Sequence, residues 1–292
     1  MDDHTFASSV DRAIADAEAV SADVEKGRFR LPCTGFQELD RLTGGLLPGQ
    51  LFVVASRPSV GRTTFLSSAC RFNAVHGGVA TSLFTLEESR DEVASRILSA
   101  QARVGFHMLK HGKLVDDDRQ RIAKVQGKIK SAPLRVHADP SMTLAEIAAK
   151  AKRDVEEHDA KLIVVDGLND IKPERPSDLR EREVGDSVRG LKALARDLNV
   201  PVLVSAHLNR SAEQRYEKRP MLDDLRESGA VTFAADVIVL MYRPDLYDGE
   251  SPRAGETDLI LAKNRFGVLA TIVAAHQFHY ARLLDMAPWQ AS

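Results

Sequence analysis

The chain has 292 residues, 43% of them hydrophobic, which is enough for one large domain or one domain with an appendage. Its 40 Lys and Arg against 42 Asp and Glu leave a net charge of -2, which excludes the globally basic surface of a nucleic-acid coat protein, so nucleic-acid contact would have to be local. Cys33 and Cys70 stand alone and fit neither a disulfide framework nor a zinc site, the acidic N-terminus lacks an apolar signal core, and no run approaches the roughly 18 apolar residues of a membrane span. These features together predict a cytoplasmic protein with no membrane partner.

The first predicted element is a helix. Residues 5 to 26 set Phe6, Val10, Ile14, Ala17 and Val24 near helical spacing with Asp, Glu and Ser between them. The Gly- and Pro-containing KGRFRLPCTGF follows, so this helix stands outside the main domain, and its apolar stripe needs a surface that another subunit can supply. The expected division is a leading helix, residues 1–28, and one domain, 29–292. From residue 51 the pattern turns to short apolar runs: LFVVAS (51–56), VATSLFTL (79–86), LRVHA (134–138), KLIVVD (161–166), VPVLVSAH (200–207) and DVIVLMY (236–242). Such runs predict strands buried on both faces, and their alternation with helices predicts parallel pairing through βαβ crossovers in an α/β domain. IKPERPSDLRERE (171–183) is a charged, Pro-rich loop expected to be mobile. The helix predicted over 179–198 carries Val184, Val188, Leu191, Leu194 and Leu198 on one stripe and ends at Asn199 and Pro201. Last comes TDLILAKNRFGVLATIVAAHQFHYARLLDM, which predicts a meander of three strands turning at Asn264 to Gly267 and near Gln277.

The first strand runs into SRPSVGRTT (56–64) and then the helical FLSSACRFNAV, the setting a phosphate-binding loop requires. Backbone N–H groups in such a turn and at the helix N-terminus cradle phosphate oxygens, and a hydroxyl at Thr63 can hold magnesium. Measured against G-x-x-x-x-G-K-[ST], Ser56 replaces the first Gly and Arg62 the Lys, and a Gly-Arg-Thr turn is also found at ordinary strand-to-helix junctions. Three polar groups at other strand ends strengthen the nucleotide reading. Asp166 closes KLIVVD, where open parallel sheets bind ligands and an acidic group organises a magnesium shell, although such an Asp also serves as a helix cap. Glu87 follows SLFTL, placed either to polarise a water or simply to begin the next helix. His207 closes VPVLVSAH, where it can sense a terminal phosphate. His276 and His279 in HQFH have no nearby third ligand and predict no metal site.

From about Pro32 to Met286, the segments TGFQELDRLTGGLLPGQLFVVASRPSVGRTTF, SLFTLE, LIVVDGLNDI, LKALARDLNVPVLVSAHLNRSAEQRYEKRP, DLRESGAVTFAADVIVLMYR and AKNRFG resemble, in order and spacing, the C-terminal motor domain of DnaB-type replicative helicases. The resemblance implies a RecA-like P-loop NTPase core, with a mostly parallel central sheet and C-terminal antiparallel strands, preceded by an amphipathic linker helix that docks on the adjacent subunit. It also implies a homo-oligomer, a hexameric ring around single-stranded DNA that hydrolyses ATP between subunits, with ATP and Mg2+ as cofactors. Position by position, Ser59, Gly61, Arg62, Thr63 and Thr64 fall in the family's phosphate loop. Glu87 takes the catalytic glutamate position and Asp166 that of the Walker B aspartate, sharing magnesium with Thr63. His207 stands where the family usually has a Gln linking the γ-phosphate to the DNA-facing loops. Lys263 and Arg265 match the basic pair that reaches into the neighbour's ATP site, Arg265 as the arginine finger. Arg226, Glu227, Ser228 and Gly229 match the channel loop that contacts DNA phosphates; without the family, DLRESG reads as a solvated turn before a helix. A ring that moves along any sequence contacts phosphates rather than base edges, and a few charges per subunit suffice, so near-neutral charge is no objection.

The departures define a second reading. Almost nothing precedes the leading helix where the family carries a helical domain for its collar and for primase. Primase coupling is therefore not expected, and a helicase loader or a full-length helicase homologue are the further partners to expect. Arg62 is a wider planar fork than a Lys ammonium and fits phosphate differently; a loss of ~4 kcal/mol of transition-state stabilisation would slow turnover about a thousandfold. Gly167 and Asn169, smaller than the family's usual Tyr and Gln, predict a freer loop after Asp166. Two functions follow: an ATP-dependent DNA helicase or translocase acting in replication, or a catalytically impaired ATP-binding paralogue serving as a structural or regulatory subunit. Arg62 and His207 favour the second, while Glu87, Arg265 and DLRESG favour the first. A RecA-like recombinase is weaker, because DLRESG and AKNRFG point to DnaB.

Overall fold

A computed structural model describes residues 32–286 and, ahead of them, Ala7, Val10, Asp11, Ile14, Ala15 and Glu18; of Arg226, Glu227 and Ser228 it describes the backbone alone. The six leading positions are all helical, and the rest of the predicted leading helix lies outside the described residues. Every predicted apolar run forms a strand: β1 (Leu51–Ser56), β2 (Thr81–Thr85), β3 (Leu134–Ala138), β4 (Leu162–Asp166), β5 (Val202–His207) and β6 (Val237–Tyr242). The C-terminal meander supplies β7 (Glu256–Asn264), β8 (Ala270–Gln277) and β9 (Arg282–Asp285). All nine join one sheet in the order β3-β2-β4-β5-β1-β6-β7-β8-β9. β1 to β6 pair in parallel, and β7 to β9 extend the sheet antiparallel.

The runs are apolar throughout because the sheet is covered on both faces. Leu51, Val53 and Ala55 of β1 pack on one side with Ile147 and Ala151 of the helix Leu144–His158 and with Val184, Val188 and Leu191 of the helix Arg180–Leu198. Phe52 and Val54 point the other way, to Phe65 and Leu66 of the helix Arg62–Cys70 and Val93 and Ile97 of the helix Arg90–Ala102. Each of these Val, Leu, Ile and Phe side chains contributes about 1.5–3 kcal/mol on burial. β3 departs from the expectation of two buried faces. It is the edge strand, with Arg135 exposed and His137 only partly buried, and a charged edge of this kind discourages further pairing. The loop predicted to be mobile is anchored in several places: Lys172 N–H donates to the Met142 carbonyl (3.0 Å), Ser177 N–H donates to Glu183 (3.0 Å), and Ile171 is buried.

Two details of register matter for function. Ser56 pairs with His207 and Thr85 with Asp166, so the carboxyl ends of β1, β5, β2 and β4 line one edge of the sheet. In the β6–β7 ladder Val239 faces Leu261 but Ile238 faces Lys263, so Ala262 is passed over in a β-bulge. Among the described residues, no helix is long and apolar enough to cross a membrane.

Candidate active site

At the end of β1 the chain turns through loop 56–64 into the helix Arg62–Cys70. The left-handed backbone falls on Ser59 (φ 66°) and Gly61 (φ 117°), while Ser56 turns its hydroxyl onto the Arg57 carbonyl (2.8 Å). A glycine is required at 61 on two counts: its φ, and the Phe278 ring, which would lie 2.7 Å from an added Cβ. Phe278 is in turn covered by the Arg243 guanidinium, 4.7 Å from the ring centre, and Arg243 also donates to the Ser59 carbonyl (3.1 Å). The loop opens into a cleft of about 420 Å³ whose walls include Thr63, Thr64, Glu87, Arg96, His207, Arg243 and Phe278.

Glu87 does not begin a helix. The next helix starts at Arg90 behind the Ser89 cap, which forms a reciprocal box with Glu92, and Glu87 sits in the bend before it with its carboxylate in the cleft. The contact with His207 (3.5 Å), and after it the Arg62 charge (3.7 Å), hold the Glu87 carboxyl below its ordinary range. Asp166 is buried at the end of β4. Ser205 donates to it (2.7 Å), the nearby Thr63 hydroxyl also favours the ionised form, and burial nonetheless pushes its carboxyl up. Asp170 is raised by burial and then by the Glu87 charge beside it. The Arg62 guanidinium, 8% exposed, donates to the carbonyls of Ser56 (2.9 Å) and Ala206 (3.3 Å) and meets both ring nitrogens of His207 (2.9 and 3.0 Å). Burial lowers its pKa. Among the described residues, Glu87, Asp170 and His207 bring potential ligand atoms within 4.8 Å of one another.

The segment after Asp166 is pinned, contrary to the freer loop expected. Gly167 (φ 110°) opens a short 3-10 turn, its N–H donates to Ser205 Oγ (2.8 Å), and Asn169 Oδ1 accepts the His207 N–H (2.8 Å). Ser205, Asn169, Asp170, Arg243 and Phe278 were not among the predicted site residues. Ser205 had a signal, being a hydroxyl inside an apolar strand two residues before His207 and so on the same face. Arg243 and Phe278 arrive from distant segments and had none.

Lys263 and Arg265 lie elsewhere. β7 runs antiparallel to β6, so its end meets the start of β6, and Arg265 N–H donates to the Asp236 carbonyl (2.9 Å). Asp236 also accepts from the Leu51 N–H (2.8 Å) at the start of β1. The six residues of β1 therefore separate this pair from the loop of the same chain by about 17 Å. Lys263 donates to the Thr232 (2.8 Å) and Ala235 (2.5 Å) carbonyls and so caps the end of the helix Gly229–Ala234. The Arg265 side chain is 59% exposed, bonded to Asp236 Oδ1 (3.1 Å), 5.4 Å from the centre of the exposed Phe266 ring, and lines a hollow with exposed Phe233. Gly229 lines the same hollow as Lys263 and Arg265, whereas the side chains of Arg226, Glu227 and Ser228 lie outside what is described. The turn that carries them is seated on buried Asp224, which accepts from Arg215 (2.7 Å), Ser211 (2.9 Å) and the Met221 N–H (2.8 Å). His276 and His279 part company: His276 meets Asp245 (3.2 Å) and Thr257 (3.1 Å), while the His279 ring lies tilted at 52° against Tyr280.

Comparison with known proteins gives one answer. The model of the DnaB-like helicase C terminal domain matches residues 33–285. The replicative DNA helicase DnaB of Leifsonia xyli subsp. xyli (strain CTCB07) is 43% identical over 255 residues, 87% of this chain and 56% of that protein, and the DnaB of Geobacillus stearothermophilus is 36% identical over 254 residues with the same shares. The chain thus spans 56% of the length of these relatives. A solved structure described as an ATPase domain superposes with a TM-score of 0.91 at 28% identity, covering 98% of this chain and 100% of that one. A DnaB-like replicative helicase, described with its interactions with primase, superposes at 0.87 and 28% identity, covering 98% and 68%. Matched sequence and superposed fold agree that the chain belongs to the DnaB-like helicase C-terminal domain family.

Proposed function

We propose that this chain is the ATP-hydrolysing motor of a DnaB-type replicative DNA helicase, acting on single-stranded DNA as a ring of identical subunits. One observation supports the reading: the residues proposed as the two halves of a hydrolytic site stand on opposite edges of one sheet. Loop 56–64, Thr63, Asp166 and Glu87 share one edge, and the exposed Arg265, beside Phe266, sits on the other, about 17 Å from its own loop. Neighbouring subunits would bring the halves together, so turnover would depend on assembly. Backbone N–H groups of loop 59–64 would cradle the phosphates of ATP, in a turn that requires the glycine at 61. Thr63 and Asp166 would hold Mg2+, which supplies positive charge to the terminal phosphates. Glu87, kept ionised by His207 and Arg62, would orient the attacking water. The turn at residues 226–229 would face DNA phosphates, and the leading helix would pack on the adjacent subunit. A helicase loader or a full-length homologue are the further partners in this reading.

Steady-state ATP hydrolysis with and without single-stranded DNA tests it, with Glu87→Gln as the blank. DNA-stimulated turnover that vanishes in the blank is expected. Turnover equal to the blank, under conditions where the protein assembles, would overturn the reading.

A further inference from the structure

The two positions at which the site departs most from the family pattern touch each other. Arg62 Nη1 lies 2.9 Å from His207 Nδ1 and Nη2 lies 3.0 Å from Nε2. A neutral imidazole has a single acceptor nitrogen, so one of these contacts is a hydrogen bond and the other sets the guanidinium against the ring. A Lys ammonium at 62 is a point donor and could not span both nitrogens, and a Gln at 207 would offer no ring for a planar fork to lie along. Each substitution thus suits the other. The guanidinium is otherwise held by two neutral carbonyls, Ser56 and Ala206, and by Glu87 at 3.7 Å. Arg62 also lines the cleft into which the phosphate loop opens, so a phosphate oxygen entering there meets the guanidinium, and a charge-assisted bond to phosphate is stronger than one to a neutral carbonyl.

We propose that Arg62 and His207 are a matched pair. His207 is the positioning residue that holds the guanidinium at the mouth of the phosphate loop, and the terminal phosphate of a nucleoside triphosphate competes with His207 and Glu87 for it. This deepens the motor reading above and rests on it. The competition has a path outward. Directly after His207, the Leu208 N–H donates to the Ser56 carbonyl (3.1 Å), the Leu208 carbonyl accepts from Arg57 (2.8 Å), and the Asn209 N–H donates to the Asp224 carbonyl (3.0 Å). Asp224 is the residue on which the 222–228 turn is seated.

A double-mutant cycle on the full chain tests the pair: Arg62→Lys, His207→Gln and both together. Nucleotide affinity is read with a fluorescent ATP analogue, and kcat and KM by steady-state hydrolysis. Each single substitution is expected to weaken binding and raise KM about tenfold, and the double to return within about threefold of the parent. Losses that simply multiply in the double variant would overturn the pairing. So would coupling seen only in the melting temperature of the nucleotide-free protein and absent from KM, because that marks a structural contact alone. A parent chain that binds no analogue fails the motor reading before any substitution is made, and this inference with it. A parent that binds and turns over ATP, with multiplicative losses, fails this inference alone.

Discussion

Two buried aspartates terminate the same sheet at opposite edges, and they are held in opposite ways. Asp236 precedes β6 and is saturated: Lys192 (2.6 Å), Arg265 (3.1 Å) and the Leu51 N–H (2.8 Å) all donate to it. Burial alone would raise it, but Lys192, the Leu51 N–H and Arg265 together outweigh that and hold its carboxyl below the ordinary range. Asp166 has a neutral hydroxyl donor, Ser205, and burial pushes it up even though the Arg62 charge acts on it. The first aspartate is a brace, neutralised by its donors, and the second is buried beside neutral hydroxyls. In the reading proposed above, the carboxylate that the fold buries without neutralising stands on the nucleotide edge, and the neutralised one on the opposite edge.

The comparison breaks most sharply if the edges do not work in different subunits. Arg265→Ala is expected to lower hydrolysis about a thousandfold. Mixed with Glu87→Gln subunits, it should regain measurable turnover, since some interfaces then join an intact Glu87 to an intact Arg265. No recovery on mixing would mean the edges do not cooperate across subunits. Asp236→Ala should come next in size. It removes the acceptor of the Leu51 N–H and the counter-charge of Lys192, which keeps only the Gly49 carbonyl, at a cost of about 3–5 kcal/mol in urea unfolding. Asp166→Asn should do the reverse at pH 7, stabilising by about 1 kcal/mol while abolishing turnover. An equal loss of stability in both variants would erase the distinction.

The pH profiles sharpen it further. The Asp166 carboxyl is raised on folding, so its contribution is fully present below the unfolded-state pKa and is lost as pH rises through the folded value. The Asp236 carboxyl is lowered, so its contribution is present above the ordinary carboxylate pKa and is lost as pH falls through the folded value. Replacing each by Asn and following unfolding free energy between about pH 3 and 7 should therefore change the slope in opposite senses. Slopes of the same sign would contradict the contrast drawn between the two carboxylates.

Much of this architecture was legible in the sequence because its causes are local. Runs such as LFVVAS carry their own burial on two faces, and Asn199 stops its helix with a left-handed residue (φ 51°) where the pattern breaks. β3 was misjudged because edge position is decided by the whole sheet and not by LRVHA itself. At the site, strand ends located Asp166, Glu87 and His207, since their position follows from counting along a strand. Arg62 and His207 could be read only as two separate departures: they are 145 positions apart, and their contact depends on Ser56 and His207 sharing a register that no local pattern encodes. Phe278 and Arg243 were invisible for the same reason, and so was the local commitment of Lys263 to the end of the helix Gly229–Ala234.

The bulge in β7 has a consequence for aligning such chains. Leu261 packs on one face of the sheet, while Lys263, opposite Ile238, serves the other, although regular alternation would put both on the same face. Ala262 is the surplus residue that makes this possible. Deleting it would regenerate an unbroken ladder with Leu261 still against Val239 and the lysine still against Ile238. The spacing between the apolar part of β7 and the Lys-Asn-Arg turn can therefore shorten by one residue without moving the basic pair. A pattern that insists on a fixed spacing there would pass over chains whose basic residues occupy the same place in space.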